Sequence, residues 1–140
     1  MATARGKVIH RSGFEQKLRA QLDEDGVAYK YEPESFVLRL KVPGHQCNEC
    51  GSKDVGRDSR YTPDFLLTGP DLFIEAKGKF TAKDRKRCLA FHEQFGHLRY
   101  AIVFMRNNRL TKGSETYYTD WALKHGIPCA VGSIPEEWYA

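Results

Sequence analysis

The chain has 140 residues, 41% of them hydrophobic and 29% charged, with a net charge of +4, which is the size and make-up of one soluble domain with a real core. No stretch approaches the roughly 20 consecutive apolar residues of a membrane span, and Met1 to Lys7 lacks the apolar run of a signal peptide. A single cytoplasmic domain with no membrane partner is therefore expected. In that reducing setting the four cysteines, Cys47, Cys50, Cys88 and Cys129, read as thiols or metal ligands rather than a disulfide framework.

In chain order, residues 1–11 read as a flexible basic N-terminus. Ser12-Gly13-Phe14-Glu15 opens a helix over 13–25 with an S-x-x-E capping box, Phe14, Leu18 and Leu22 on one face and Gly26 as its stop. Val27 to Glu32 and Phe36 to Val42 read as strands paired with each other, the second alternating Phe36, Leu38, Leu40 and Val42 against Val37, Arg39 and Lys41. Residues 43–60 read as a polar linker holding Cys47-Asn48-Glu49-Cys50. Tyr61 to Leu67 and Leu72 to Lys77 flank Thr68-Gly69-Pro70-Asp71, a hairpin by turn chemistry. Thr81 and Asp84 cap a basic helix ending near Gly96, and Tyr100 to Met105 is a buried strand broken by Asn107-Asn108. A helix from about Ser114 to His125, a strand over Ile127 to Val131 and a helical turn from Pro135 close the chain. Cys88, Cys129, Trp121 and Trp138 read as core, and His92 and His125 as helix-packing or cap residues. The order gives a mixed α/β fold: a mixed sheet flanked by helices.

Charge is unevenly spread. Residues 77–112 carry ten basic and two acidic side chains, whereas residues 1–76 carry 11 and 12 and residues 113–140 carry one and four. Clustered cations displace counterions from nucleic acid, so Lys79, Lys83, Arg85, Lys86, Arg106, Arg109 and Lys112 are candidate DNA-binding residues. A solvated helix face is the competing explanation.

Within the hairpin, Glu75 and Lys77 point to one face, since strand side chains alternate, and Asp64 stands on the partner strand. A surface ion pair would also look like this. Metal-assisted phosphodiester hydrolysis, however, uses two carboxylates to hold Mg²⁺ or Mn²⁺ and a lysine to orient or deprotonate water or to stabilise the phosphate charge. Pro63-Asp64 followed by Glu75-Ala76-Lys77 is the signature of the PD-(D/E)XK nuclease superfamily.

The resemblance extends further. Arg11-Ser12-Gly13-Phe14-Glu15, Tyr61-Thr62-Pro63-Asp64-Phe65-Leu66-Leu67, Glu75-Ala76-Lys77-Gly78, Asp84-Arg85-Lys86, Ile102-Val103-Phe104, Lys112-Gly113-Ser114, Lys124-His125-Gly126-Ile127 and Ile134-Pro135-Glu136-Glu137-Trp138 occur in this order. Together they resemble the bacteriophage endonuclease I family, the Holliday-junction resolvases of T-seven-like phages. The resemblance implies a restriction-endonuclease-like sheet and cleavage of four-way junctions and other branched DNA in the host cytoplasm. It makes Asp64, Glu75 and the Ala76 backbone carbonyl metal ligands, Lys77 the catalytic lysine and Glu15 a ligand of a second Mg²⁺, although Glu15 is also the Glu of the capping box. It also implies an intertwined homodimer in which residues 12–42 exchange between chains and residues 61–140 form the catalytic core, so that Glu15 would serve its partner's site.

Two features depart from the family pattern: the linker before Tyr61 is longer, and no basic tail follows Trp138. Cys47 and Cys50 are half of a tetrahedral zinc site, to be completed by His45 or by the same pair from a second chain, or else are free thiols in a turn. Two rivals stand beside the junction nuclease: another nuclease of the superfamily, reading sequence or a lesion, and a non-catalytic basic DNA-binding domain.

Overall fold

The computed structural model describes residues 13–41 and 56–140. Its elements are α1 (Gly13–Glu24), β1 (Tyr29–Tyr31), β2 (Phe36–Lys41), β3 (Gly56–Tyr61), β4 (Phe65–Leu67), β5 (Leu72–Lys77), α2 (Ala82–Gln94), β6 (Arg99–Phe104), α3 (Tyr118–Lys124) and β7 (Cys129–Val131), with a 3₁₀ turn at Glu136–Tyr139. Five strands form one mixed sheet in the order β1-β4-β5-β6-β7, and β2 and β3 form a separate two-stranded ribbon. The β1–β4 and β4–β5 pairs are antiparallel, whereas β5–β6 and β6–β7 are parallel.

Alternation along the central strands sorts the core into two layers. Phe73, Tyr100, Ile102 and Phe104 face Phe91 of α2 and Trp121 and Ala122 of α3. Ile74, Ala76, Ala101 and Val103 face Phe14, Leu18 and Leu22 of α1. Burying each of those three α1 side chains stabilises the packing by about 1.5–3 kcal/mol. The helix is further clasped to the C-terminal segment, where Gln21 Nε2 donates to the Ile134 carbonyl at 2.7 Å and Gln21 Oε1 accepts from the Ile134 N–H at 3.0 Å. Gly26 ends α1 at φ +70°, a conformation glycine adopts without strain.

Several elements follow the sequence reading: the helix at 13–24, the hairpin with Leu67 paired to Leu72, and α2 with its Thr81–Asp84 capping box. Others differ. The strands on either side of Pro33 do not pair with each other: Tyr29 lies opposite Leu67 of β4, and Phe36 lies opposite Tyr61 of β3. Alternating residues announce a strand but not its partner, and the left-handed Glu32 (φ +48°) redirects the chain between the two. Residues 56–60, read as linker, form most of β3; Gly-Arg-Asp-Ser-Arg has low strand propensity and is held by pairing with β2.

Tyr61 ends β3 rather than opening β4, because the chain turns through Thr62 to Asp64 around Pro63. Helix α3 begins at Tyr118, four residues after Ser114. Ser114 Oγ instead accepts from the Thr116 N–H at 2.9 Å in a local turn, and Asp120 Oδ2 accepts from the Tyr117 N–H at 3.0 Å to start the helix. Trp121, Cys88 and the partly buried Trp138 and Cys129 pack as core, and His125 caps α3. Ser12, His45, Cys47, Cys50 and the basic N-terminus lie outside the described residues, and so does most of the linker.

Candidate active site

The β4–β5 register pairs Phe65 with Ile74, which brings Asp64 abreast of Glu75 at the rim of the sheet. Asp64 Oδ2 accepts the Ala76 N–H at 2.8 Å. Glu75, 5% exposed, is the one charged residue among the buried side chains described. Lys77 Nζ lies 3.2 Å from Glu75 Oε2 and 3.1 Å from Asp84 Oδ1. The same Asp84 accepts the Thr81 N–H through Oδ2 at 3.0 Å, so one carboxylate both caps α2 and holds the lysine.

Glu15 of α1 stands within electrostatic reach of both Asp64 and Glu75 in the same chain. Its Oε1 accepts the Tyr31 hydroxyl at 2.6 Å. Among the described residues no three acidic, histidine or cysteine side chains converge into a metal-ligand group of their own.

The electrostatics follow from burial and like charge. Asp64 is pushed up to about 9 by burial, then by the charges of Glu75 and Glu15, against the opposing Ala76 N–H and Lys77. Glu75 is raised as well, chiefly by burial, although Lys77 and the Tyr61 hydroxyl favour its charged form. Lys77 is raised: burial works against its charge, but Glu75 and Asp84 outweigh it. Asp84 is lowered, since the Thr81 N–H and Lys77 outweigh its burial. A rim that crowds carboxylates until they resist ionising is one that a divalent cation would relieve, and hard oxygen donors suit Mg²⁺ or Mn²⁺.

The candidate DNA-binding residues divide. Lys83 and Lys86 line a groove of about 530 Å³ between β3 and α2 together with Arg57, Arg60 and Arg87. Arg87 also lines the small pocket over Glu75, Lys77 and Asp84, so groove and site adjoin. Arg85 is engaged elsewhere, its Nη1 donating to the Phe80 carbonyl at 2.8 Å. Lys79 is exposed after β5, and Arg106, Arg109 and Lys112 are exposed on the loop between β6 and α3.

Sequence reasoning missed Arg57, Arg60, Tyr61 and the contact of Asp84 with Lys77. The two arginines lie in the stretch taken for linker. Asp84 gave a capping signal that hid its second contact.

A mixed sheet with two carboxylates at its rim, and a lysine two residues after the second, has the layout of a PD-(D/E)XK nuclease core. The chain belongs to the phage endonuclease I family, whose model (phage endonuclease I) matches residues 1–140. It is 36% identical over 129 residues to endonuclease I of Escherichia phage T7, covering 91% of this chain and 76% of that protein. It is 37% identical over 126 residues to endodeoxyribonuclease 1 of Enterobacteria phage T3, covering 89% and 73%.

Proposed function

We propose that this nuclease is a structure-selective endodeoxyribonuclease that cuts four-way junctions and other branched DNA by metal-dependent hydrolysis, acting as a homodimer in the cytoplasm of the infected host. The observation that carries the reading is the half-buried Asp64 beside the buried Glu75, with Lys77 Nζ 3.2 Å from Glu75. A non-catalytic binding surface would gain nothing from carboxylates placed beside phosphate.

Asp64, Glu75 and the Ala76 carbonyl would hold one Mg²⁺ or Mn²⁺, with Glu15 toward a second. Such ions supply an activated water and neutralise charge on the phosphate oxygens. Lys77 acts as a fixed cation. With its pKa raised by two flanking carboxylates it keeps its proton at neutral pH, which favours stabilising the charge that develops on a non-bridging oxygen over removing a proton from water. Asp84 aims that ammonium from the start of α2. The cations of the β3–α2 groove hold the backbone of an adjoining arm, contacts that position DNA without reading its sequence.

Branch selectivity goes with the proposed homodimer, since paired cuts need two sites related by a two-fold axis. The test is cleavage of a mobile-core four-way junction and of its linear arms, each with Mg²⁺ or EDTA. Junction cuts in Mg²⁺ alone are expected. Equal cutting of linear duplex would favour a sequence-reading or lesion-reading nuclease instead.

A further inference from the structure

The two carboxylate oxygens of Glu75 have different partners. Oε2 meets Lys77, while Oε1 accepts the Tyr61 hydroxyl at 2.7 Å. The Tyr61 and Tyr100 hydroxyl oxygens are also 2.7 Å apart. All three side chains are buried.

Donor inventory fixes the direction of this chain. An ionised carboxylate only accepts, so the single Tyr61 proton goes to Glu75 and the Tyr100 proton goes to Tyr61. The ring of Tyr61 packs on Phe91, with centroids 5.2 Å apart, a contact phenylalanine would make equally well. The hydroxyl is thus the part that apolar packing does not explain, and burying it without a partner would be unfavourable.

We infer that Tyr61 is a positioning residue for Glu75: its hydroxyl holds Oε1 and so fixes the carboxylate plane with Oε2 toward Lys77, in the small pocket where a divalent ion and the substrate phosphate would meet. Tyr61 stands three residues before Asp64, around the Pro63 turn. One short segment therefore supplies one carboxylate and orients the other. The inference rests on the reading that Asp64 and Glu75 hold a divalent ion.

The experiment is direct Mn²⁺ binding without DNA, by calorimetry and by electron paramagnetic resonance of free Mn²⁺, for the full chain and for Tyr61→Phe, Glu75→Gln and the double variant. Tyr61→Phe is expected to weaken Mn²⁺ binding about 10-fold, as loss of a partner that orients a metal ligand does. It should add nothing once Glu75 is already Gln. An unchanged Mn²⁺ affinity in a folded Tyr61→Phe protein would overturn the inference, as would additive losses in the double variant. Should Tyr61→Phe fail to fold, Tyr100→Phe is expected to shift Mn²⁺ affinity in the same direction by a smaller factor, and no shift would overturn the inference. If the unaltered chain binds no Mn²⁺, the metal reading itself falls, an outcome distinct from wild-type binding that is insensitive to Tyr61.

Discussion

Neutralising Asp64 should make the metal-free protein more stable while destroying its activity. Asn is nearly isosteric with Asp and its carbonyl oxygen can still accept the Ala76 N–H that Asp64 Oδ2 accepts at 2.8 Å. What Asp64→Asn removes is a carboxyl whose ionisation is opposed by burial and by Glu75 and Glu15, which raise it from 3.8 to about 9. A raised folded-state pKa means that the native state binds a proton the unfolded chain has released. The resulting penalty is absent below about pH 4, grows as pH rises and levels off above about pH 9.

Linkage alone would set this penalty near 5 kcal/mol at about pH 7.5. Lys77 screens the pair and Glu75 can share the proton, so replacing one member should recover about 1–3 kcal/mol, or about 3–10 °C in Tm for a chain of this size. The assay is thermal unfolding of both proteins in EDTA at pH 5 and pH 8, repeated with Mg²⁺. Asp64→Asn should lead in EDTA, lead by more at pH 8 than at pH 5, and lose its lead in Mg²⁺ as the unaltered protein gains a ligand. A variant no more stable than the parent in EDTA at pH 8, or a difference independent of pH, would refute the reasoning.

The β3–α2 groove and the chain exchange give two further expectations. Arg57→Ala with Arg60→Ala should weaken binding to junctions of any sequence and lower the slope of log K against log salt by about 2, whereas an unchanged slope would place the DNA backbone elsewhere. If α1 exchanges between protomers, co-refolding Glu15→Ala with Lys77→Ala should restore nicking of one junction strand, because one site per heterodimer is then intact. No nicking from differentially tagged heterodimers would mean that Glu15 serves its own chain, as α1 packed on its own sheet would have it.

The parts of the fold that were legible in the sequence are those whose signals are local. Phe14, Leu18 and Leu22 at spacing four, the Thr81–Asp84 cap and the Thr68–Asp71 turn each carry their structure within a few residues, and so does the Glu75–Lys77 pair on one strand face. What escaped depends on partners distant in the chain. Leu38 and Leu40 mark β2 as a strand, but only three-dimensional packing pairs it with the polar Gly56–Tyr61 segment rather than with β1. Gln94, 55 residues from Arg39, closes the outer edge of β2 by donating to the Arg39 carbonyl and accepting its N–H, a contact no pattern announces. Tyr61 read as one more strand aromatic because nothing near it indicates that Glu75 needs its hydroxyl.

The most direct test of the Asp64–Glu75–Lys77 centre is single-turnover cleavage of a labelled four-way junction in Mg²⁺ by Lys77→Ala, with junction affinity measured in parallel in EDTA. Binding draws on dispersed cations and cleavage on one fixed ammonium, so affinity should stay within about threefold while the cleavage rate falls by about 100-fold or more. A Lys77→Ala protein that binds and cuts at the parental rate would contradict the assignment.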